Sequence, residues 1–444
     1  MARRTKGMAD VRPVTLLGFG DDSVRLSRQL WVLVHRWAGL TIAVFLAISG
    51  LTGAMLAFTD ELEPLLLPQV FRAAPPVPGA VPLDPFDLRD RVLARYPDGL
   101  ITQMPLRADP DRSLRFNIQR LEPQTGMTVP YAESWDEIFV NPYDGSVTGR
   151  RRWGDIGQGA INLLPFVHHL HDSLTMDDWG RLTLGIAAMI WTLDCFVGFY
   201  LTLPVGSTPR HDGRRWLHRW RSSWKLRWRQ SSYKRTFDLH RAGGLWLWPM
   251  LLVFAWSGVS FNLPQVYDPI MRQIGYLPIA EGIVPPVDGT GGPDVDLRAA
   301  ARQGQSLARA VARRSGIAID EGGPASINYY PQIGVYLFRF TSSASVARAN
   351  YGDSVVIFSA RTGGLLKSAL PRQEAKGGAL HAWLEALHLA AIGGLPYKFA
   401  VACAGLLITS LSVTGTMIWM KKRTARLRTL RRPNKMSEIT RGAG

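Results

Sequence analysis

Four long apolar stretches dominate the pattern of hydrophobic and polar positions along the chain. They cover roughly Trp37–Phe58, Leu182–Leu203, Leu245–Leu263 and Tyr397–Met420. Each approaches the about 20 residues that a helix needs to cross the hydrocarbon core of a bilayer. Four such stretches, each flanked by basic or aromatic residues, predict a membrane protein with four transmembrane helices.

Two of these stretches begin with the same short motif. Residues 35–40 read HRWAGL before the first stretch, and residues 240–245 read HRAGGL before the third. The segments that follow each motif also repeat in the same order, which indicates an internal duplication. Because each half begins and ends on the same side of the membrane, the repeats are parallel and related by an axis along the membrane normal.

The polar segments between the spans have the pattern of small α+β domains. In the first, we expect a helix at Asp87–Tyr96 that Asp87 caps. In the second, we expect a helix at Val295–Arg314. The predicted strands of both segments are Ile101–Leu106, Leu114–Arg120, Glu137–Asn141, Ser146–Arg150, Ser326–Tyr330, Val335–Thr341 and Ser354–Ser359.

The fold class is therefore a mainly α membrane protein, a four-helix transmembrane bundle of two parallel repeats with two α+β domains outside the cytosol. The predicted boundaries are a cytoplasmic arm (1–30), span one (31–59), a first α+β domain (60–155), an amphipathic helix with span two (156–204), a basic cytoplasmic loop (205–236), span three (237–263), a second α+β domain (264–377), an amphipathic helix with span four (378–420) and a basic cytoplasmic tail (421–444).

The net charge is +17, and the positions of the basic residues predict how the chain is oriented in the membrane. Lys and Arg concentrate in the arm, the loop and the tail, and basic flanks of membrane spans remain cytoplasmic. We expect both termini in the cytoplasm, the first span to be an uncleaved anchor, and the basic surface to meet anionic lipid of the bilayer rather than nucleic acid.

Nine histidines carry the candidate chemistry, and seven lie at span ends or on amphipathic helices that lead into spans. His35 corresponds to His240 in the duplication. His171 corresponds to His388, because Gly198 and Gly415 follow them at the same distance. The first pair belongs at the cytosolic end of the bundle and the second pair at the opposite end.

Two imidazoles that face each other at one depth form an axial pair for haem iron, and helix bundles build cofactor sites from facing helices. Arg36 and Arg241 either contact haem propionates or anchor the helix ends in the cytosolic headgroup layer. His168 and His381 share a helix face with their neighbours, so each is an alternative ligand or a propionate or substrate contact.

Two other interpretations of the histidines remain. They could cap helix ends and bond lipid headgroups, or they could bind zinc. Zinc is less favoured because no Cys, Asp or Glu completes a tetrahedral set at zinc-site spacing, with Glu385 the nearest carboxylate. Cys195 and Cys403 both lie inside apolar stretches and form no CxxC or CxxCH motif, so the chain has no zinc knuckle and no c-type haem motif.

Several of these motifs together resemble the PepSY-associated transmembrane proteins, iron-regulated proteins of Gram-negative inner membranes that include siderophore-iron reductases. The resemblance rests on residues 35–39, 240–244, 387–396 and 414–419, and on the strand and turn at 138–145. It covers about residues 30 to 430.

The resemblance implies four spans, two periplasmic PepSY-like domains and two b-type haems. By position, the haem ligands would be His35, His240, His171 and His388. One departure concerns His171, since residues 172–178 replace the glycine-rich break seen at 393–396. Some relatives carry a flavin and nicotinamide reductase domain, and none follows Met420 here, so we expect quinol or a cytosolic reductase as the electron donor.

The leading hypothesis is a dihaem electron-transfer protein of the bacterial inner membrane that reduces a ferric siderophore or similar ferric chelate in the periplasm. It needs no catalytic acid, base or nucleophile. The alternative is a haem-free, membrane-anchored PepSY regulator of periplasmic proteases or a transporter partner. A transporter itself is less favoured because Asp194 is the sole acidic residue within a span.

Overall fold

The computed structural model describes residues 19–122, 128–131, 135–204, 216–279, 281–283, 295–347 and 353–430. Residues 1–18 of the predicted arm, 205–215 of the predicted loop and 431–444 of the predicted tail lie outside these ranges. The described chain is mainly helical and contains one antiparallel sheet.

Twelve α-helices carry the labels used below. They are α1 (Phe19–Leu56), α2 (Thr59–Leu66), α3 (Pro68–Phe71), α4 (Pro85–Arg95), α5 (Leu163–Ser173), α6 (Asp177–Thr202), α7 (Ser232–Trp246), α8 (Trp248–Asn262), α9 (Pro264–Arg272), α10 (Leu297–Ser315), α11 (Lys376–His388) and α12 (Gly394–Leu430). Asp84, not Asp87, caps α4, because its side chain accepts the Phe86 N–H. The predicted cap one turn later was wrong.

Three of the helices are long and apolar enough to cross a membrane, over Leu26–Leu56, Asp177–Thr202 and Gly394–Arg428. These three candidates coincide with three of the four predicted spans. The third predicted span is part of a bent pair, α7 and α8, and counts as a fourth candidate only if both helices are taken together. The helix breaks at Leu247 because Pro249 has no N–H to donate to the carbonyl group one turn earlier.

The strands are β1 (Leu100–Pro105), β2 (Leu114–Leu121), β3 (Thr128–Pro130), β4 (Glu137–Val140), β5 (Val147–Arg151), β6 (Ala325–Tyr330), β7 (Val335–Phe340), β8 (Ser354–Ser359) and β9 (Leu365–Ala369). All seven predicted strands are confirmed to within about two residues at each end. Strands β3 and β9 were not predicted from the sequence.

All nine strands belong to a single sheet with the order β5-β4-β2-β1-β6-β7-β8-β9, and β3 pairs with β2 outside this path. The two polar segments therefore do not form separate sheets. Antiparallel pairing of β1 with β6 joins them, with Met104 opposite Ile327. The order is palindromic, since each strand of the first segment has its counterpart at the same distance from the β1–β6 seam.

The main core lies on one face of this sheet, under α4 and α10. Leu88 and Val92 of α4 and Ala300 and Ala308 of α10 are buried there against the sheet. Phe116 contributes from β2 and is fully buried. Side chains alternate between the two faces of a strand, so the residues on either side of Phe116 point to the opposite face.

A buried arginine connects the sheet to neighbouring segments through ion pairs and a hydrogen bond. Arg151 of β5 is 1% exposed. Its Nε donates to Glu137 of β4 at 2.6 Å, and one of its terminal nitrogens donates to Glu63 of α2 at 2.7 Å and to the Ile161 carbonyl at 3.0 Å. The two carboxylates raise the pKa of Arg151, so the guanidinium remains charged in its buried position.

Helices α5 and α11 end in similar backbone breaks before the long helices α6 and α12. After α5, Leu174, Thr175 and Asp177 have positive φ angles of 52°, 59° and 48°. After α11, Ala390 and then two glycines have positive φ angles. The second half uses glycine, which adopts this conformation without strain, and the first half adopts it with ordinary residues. The first half therefore has a backbone break after α5, although its sequence lacks the glycines found at 393–396.

Candidate functional site: two histidine pairs

His35 of α1 and His240 of α7 face each other, with ring centroids 6.1 Å apart. The Nδ1 of His35 lies 2.9 Å from both carboxylate oxygens of Asp194 on α6. The Nδ1 of His240 donates to the Leu411 carbonyl at 3.0 Å, and Thr414 lies 3.3 Å from the same nitrogen. Asp194 is 8% exposed, so this carboxylate is buried beside the imidazole that it orients.

His171 of α5 and His388 of α11 form a second pair with the same centroid separation of 6.1 Å. Here the partners are hydroxyl groups. The Nδ1 of His171 is 2.9 Å from the Thr52 oxygen on α1. The Nδ1 of His388 is 2.6 Å from the Ser257 oxygen on α8. Both pairs predicted from the duplication are thus brought together in the structure.

The hydrogen-bond partners assign the tautomer of all four rings. Thr52 donates its own proton to the Ile48 carbonyl at 2.8 Å, and Ser257 donates to the Val253 carbonyl at 2.6 Å. Each hydroxyl oxygen is then left to accept from an Nδ1–H. The carboxylate and carbonyl partners of the other pair are acceptors too. Every ring therefore carries its proton on Nδ1 and has a free lone pair on Nε2.

This arrangement is typical of metal-ligating histidines, whose second nitrogen donates to a carboxylate, carbonyl or hydroxyl oxygen. A metal between two imidazoles needs two metal–nitrogen bonds of about 2 Å, and the ring radii bring the centroid separation to about 6 Å. Both pairs show that separation. Two axial imidazoles suit a metal whose remaining ligands come from a planar macrocycle.

Glycines on neighbouring helices make space for three of the four imidazoles. A Cβ on Gly53 would lie 3.0 Å from the His171 ring, and one on Gly415 would lie 3.1 Å from the His240 ring. Gly198 is similarly placed at 3.4 Å from His35. In the sequence, Gly198 and Gly415 served only to align the two repeats. The structure shows that each glycine lies against a paired histidine ring, which explains why both repeats have a glycine at this position.

The alternative ligands His168 and His381 have other contacts. His381 has both nitrogens engaged, since Nδ1 is 3.1 Å from the Tyr267 hydroxyl and Nε2 is 3.4 Å from both the Tyr276 hydroxyl and Glu385. His168 packs its edge against the Trp153 ring with a centroid separation of 5.1 Å. The structure thus pairs His171 with His388 and gives the two neighbouring histidines different surroundings.

The two arginines of the repeated motif differ. Arg241 donates to Asp238 at 2.9 Å and to the Ser222 carbonyl at 3.0 Å. Asp238 is fully buried and also accepts two bonds from Arg227. Arg241 therefore belongs to an ion-pair cluster that the sequence did not predict, whereas Arg36 is half-buried on α1.

A second group of titratable side chains lies around His381. Burial raises the pKa of Glu385 to about 7, and the Arg339 charge offsets part of this effect. Burial also lowers the pKa of His381 to about 4 and raises the pKa of Tyr267 and Tyr276. At neutral pH this group therefore holds a neutral imidazole beside a carboxyl that is half protonated.

The pKa of Glu385 predicts a pH-dependent effect of Glu385→Gln. The protonated carboxyl contributes stability that is fully present below about pH 4.5 and is lost as the pH rises through about 7. Relative to wild type, the variant should gain up to about 3 kcal/mol between pH 5 and pH 8. His381, whose pKa is lowered, changes stability with pH in the opposite direction. This effect is the same in wild type and variant, so it cancels in the comparison. Thermal unfolding in detergent at several pH values measures the difference.

The control for this comparison is Glu281→Gln, which makes the same charge change at an exposed position. Its stability relative to wild type should not vary over this pH range. A constant difference between Glu385→Gln and wild type from pH 5 to pH 8 would show that Glu385 is ionised throughout.

Long apolar helices, two histidine pairs and an antiparallel sheet together define a membrane protein with an α+β portion. The family model described as the PepSY-associated TM region matches residues 32–422, nearly the whole chain. The chain therefore belongs to the family of PepSY-associated transmembrane proteins, as its motifs indicated. No curated protein matches it at a significant level.

Proposed function

We propose that this membrane protein binds two haems b, one between His35 and His240 and one between His171 and His388, and that it transfers electrons to a ferric siderophore or similar ferric chelate. One observation carries the proposal. In both pairs each Nδ1 has an oriented acceptor, which leaves Nε2 for a metal, and the ring centroids are 6.1 Å apart, close to the separation that an iron between two imidazoles requires.

The residues present fit haem at both positions. The four histidines would hold the two haems, while Asp194, Thr52, Ser257 and the Leu411 carbonyl fix the ring orientations. Haem supplies reversible one-electron chemistry when it is bound. The protein contributes ligand geometry, the hydrogen bonds to the ligands and a water-poor environment.

The membrane arrangement that best suits this function is a four-span bundle of two parallel repeats in the bacterial inner membrane. The basic segments favour cytoplasmic termini, and with that orientation the sheet would lie in the periplasm. Electrons would then enter at the His35–His240 pair from quinol or a cytosolic reductase and leave at the His171–His388 pair. One electron converts Fe(III) in the chelate to Fe(II), which hard oxygen ligands hold less tightly, so iron is released.

The test is a reduced-minus-oxidised visible spectrum of the protein purified in detergent after expression with a haem precursor, combined with pyridine haemochrome quantitation. Two haems b per chain, and their reoxidation by a ferric chelate, support the proposal. A chain without haem under these conditions overturns it and favours the haem-free regulator or transporter partner.

The carboxylate beside His35 predicts a difference between the two haem sites. An imidazole that donates to a carboxylate is a stronger ligand to the oxidised metal than one that donates to a neutral oxygen. Asp194→Asn should therefore raise the midpoint potential of one haem by on the order of tens of millivolts and leave the other unchanged. Spectroelectrochemical titration measures both, and Asp194→Glu should retain the lower potential. Equal shifts at both haems would contradict this assignment.

A further inference from the structure

The face of the sheet opposite the main core carries a cleft at the β1–β6 seam that several polar side chains line. The cleft has a volume of about 260 Å³. Its polar lining comes from the four central strands and consists of Gln103, Arg115, Asn117, Ser326 and Arg339, with Asp353 at one edge. Apolar clusters flank this region on either side, around Phe139 and around Val355. The polar side chains of this face are therefore at its centre, between two buried apolar clusters.

Strand register places the two arginines symmetrically about the seam. Pro105 of β1 pairs with Ser326 of β6, and Ser326 pairs with Arg339 of β7. On the other side of the seam Arg115 of β2 occupies the corresponding position beside Pro105 in the cleft. Arg115 and Arg339 are three strand spacings apart, which separates their Cα atoms by roughly 14 Å. Their side chains point to the same face and approach a ligand at the seam from opposite sides.

The charges around the arginines leave donors for a ligand. Glu137 lies 3.6 Å from Arg115, and the Arg115 side chain is 41% exposed. Asp353 accepts a hydrogen bond from Thr341 at 3.1 Å. A guanidinium has five N–H donors, so a single distant carboxylate leaves most of those of Arg115 available.

We infer that this cleft binds an anionic, oxygen-rich metal chelate between Arg115 and Arg339. Arginine matches carboxylate and similar oxygen anions through paired hydrogen bonds. The carboxamides of Gln103 and Asn117 add neutral donors and acceptors at the base. The identity of the ligand as a ferric chelate rests on the proposed function, whereas the preference for an anion follows from the lining residues alone.

The cleft also lies near the helix that carries His388. Arg339 is close enough to Glu385 of α11 to influence its pKa. The segment after β7 packs on the same helix, where Val346 and Ala347 contact Ala382 and Ala386. A chelate in the cleft would therefore be held beside α11, on the side of the sheet from which Glu385 approaches Arg339.

The test uses gallium(III) citrate, a redox-inert counterpart of ferric citrate, with the full chain in detergent. Isothermal titration calorimetry should show binding to wild type. Arg115→Gln and Arg339→Gln should each weaken binding about tenfold, and the double variant about a hundredfold. The matched control is Arg120→Gln, an exposed arginine on β2 outside the cleft, which should bind like wild type. Neutral gallium tris(acetohydroxamate) should show no dependence on either arginine.

Three results would overturn the inference: no binding of gallium citrate to wild type, binding by the double variant within twofold of wild type, or equally tight binding of citrate without metal. Haem content separates this test from that of the proposed function. If the double variant keeps two haems per chain, its KM for ferric citrate should rise while kcat is unchanged. If wild type contains no haem, the proposed function fails, and the gallium titration still decides whether the cleft is an anion site.

Discussion

His388→Ala should reduce the haem content from the two per chain that the proposed function requires to one, and abolish reduction of the ferric chelate. His388 and His171 would hold that haem together, and alanine would leave His171 alone to hold it. The remaining pair, His35 and His240, lies in a different part of the chain and keeps its own hydrogen bonds. Pyridine haemochrome quantitation and a chelate-reduction assay measure the two effects.

The matched control is His381→Ala, on the same helix two turns earlier. Both nitrogens of His381 have protein partners, so this variant should retain two haems. A full haem complement in His388→Ala together with a loss in His381→Ala would exchange the roles of the two residues. Retention of both haems in both variants would refute bis-histidine ligation at this pair.

Arg151→Met should destabilise the folded chain by about 3–5 kcal/mol, because it removes the buried partner of Glu137 and leaves this carboxylate only the more distant, partly exposed Arg115 at 3.6 Å. Glu137 is 3% exposed and Arg151 is 1% exposed, so water cannot replace the lost ion pair. Glu63 and the Ile161 carbonyl would lose the same donor. The decrease appears as a lower thermal unfolding midpoint of the purified protein, or as a loss of folded protein in the membrane fraction.

Arg150→Met provides the control for this effect. Arg150 is exposed on the same strand, and its guanidinium lies over the Trp135 ring at 5.5 Å. Its replacement removes the same charge and should cost less than about 1 kcal/mol. If adding Glu137→Gln to Arg151→Met restores part of the stability, the carboxylate without its buried partner is the cause. Equal effects of the two arginine substitutions would argue against it.

The histidine pairs were predictable because the duplication is visible in the sequence. Two copies of one motif place His35 and His240 at the same depth, and the same logic links His171 to His388. The choice of His388 over His381 was not predictable, because the two share a helix face. It depends on Ser257 of α8, on Tyr267 of α9 and on Tyr276, which follows α9.

Asp194 was visible in the sequence, but its role was not. An acid within an apolar stretch is costly and signals a function, yet in the sequence Asp194 counted only as the sole acidic residue within a span, which made a transporter less favoured. Its partner is His35, 159 positions away in sequence. Such a partner follows from helix packing, and nothing in the local sequence indicates it.

The strands were predictable from alternation and β-formers, and their joining into one sheet was not. The pairing of β1 with β6 depends on which edge of each segment is left free. Helix lengths were predictable from hydropathy, but the interruption at Leu247 was missed although Pro249 is visible in the sequence. The effect of that proline was overlooked because the apolar pattern continues through it.

The palindromic strand order also bears on how the chain arose. Two copies of one sheet that meet through the same edge strand produce this order around a twofold axis, which is the symmetry of a homodimer. A half-length ancestor would have exposed that edge and closed it by pairing with a second copy of itself. Gene duplication and fusion then made the partner permanent. After fusion, each half could diverge separately. The groups that orient the paired histidines now differ between the halves: a carboxylate accepts from His35, and a backbone carbonyl accepts from its counterpart His240.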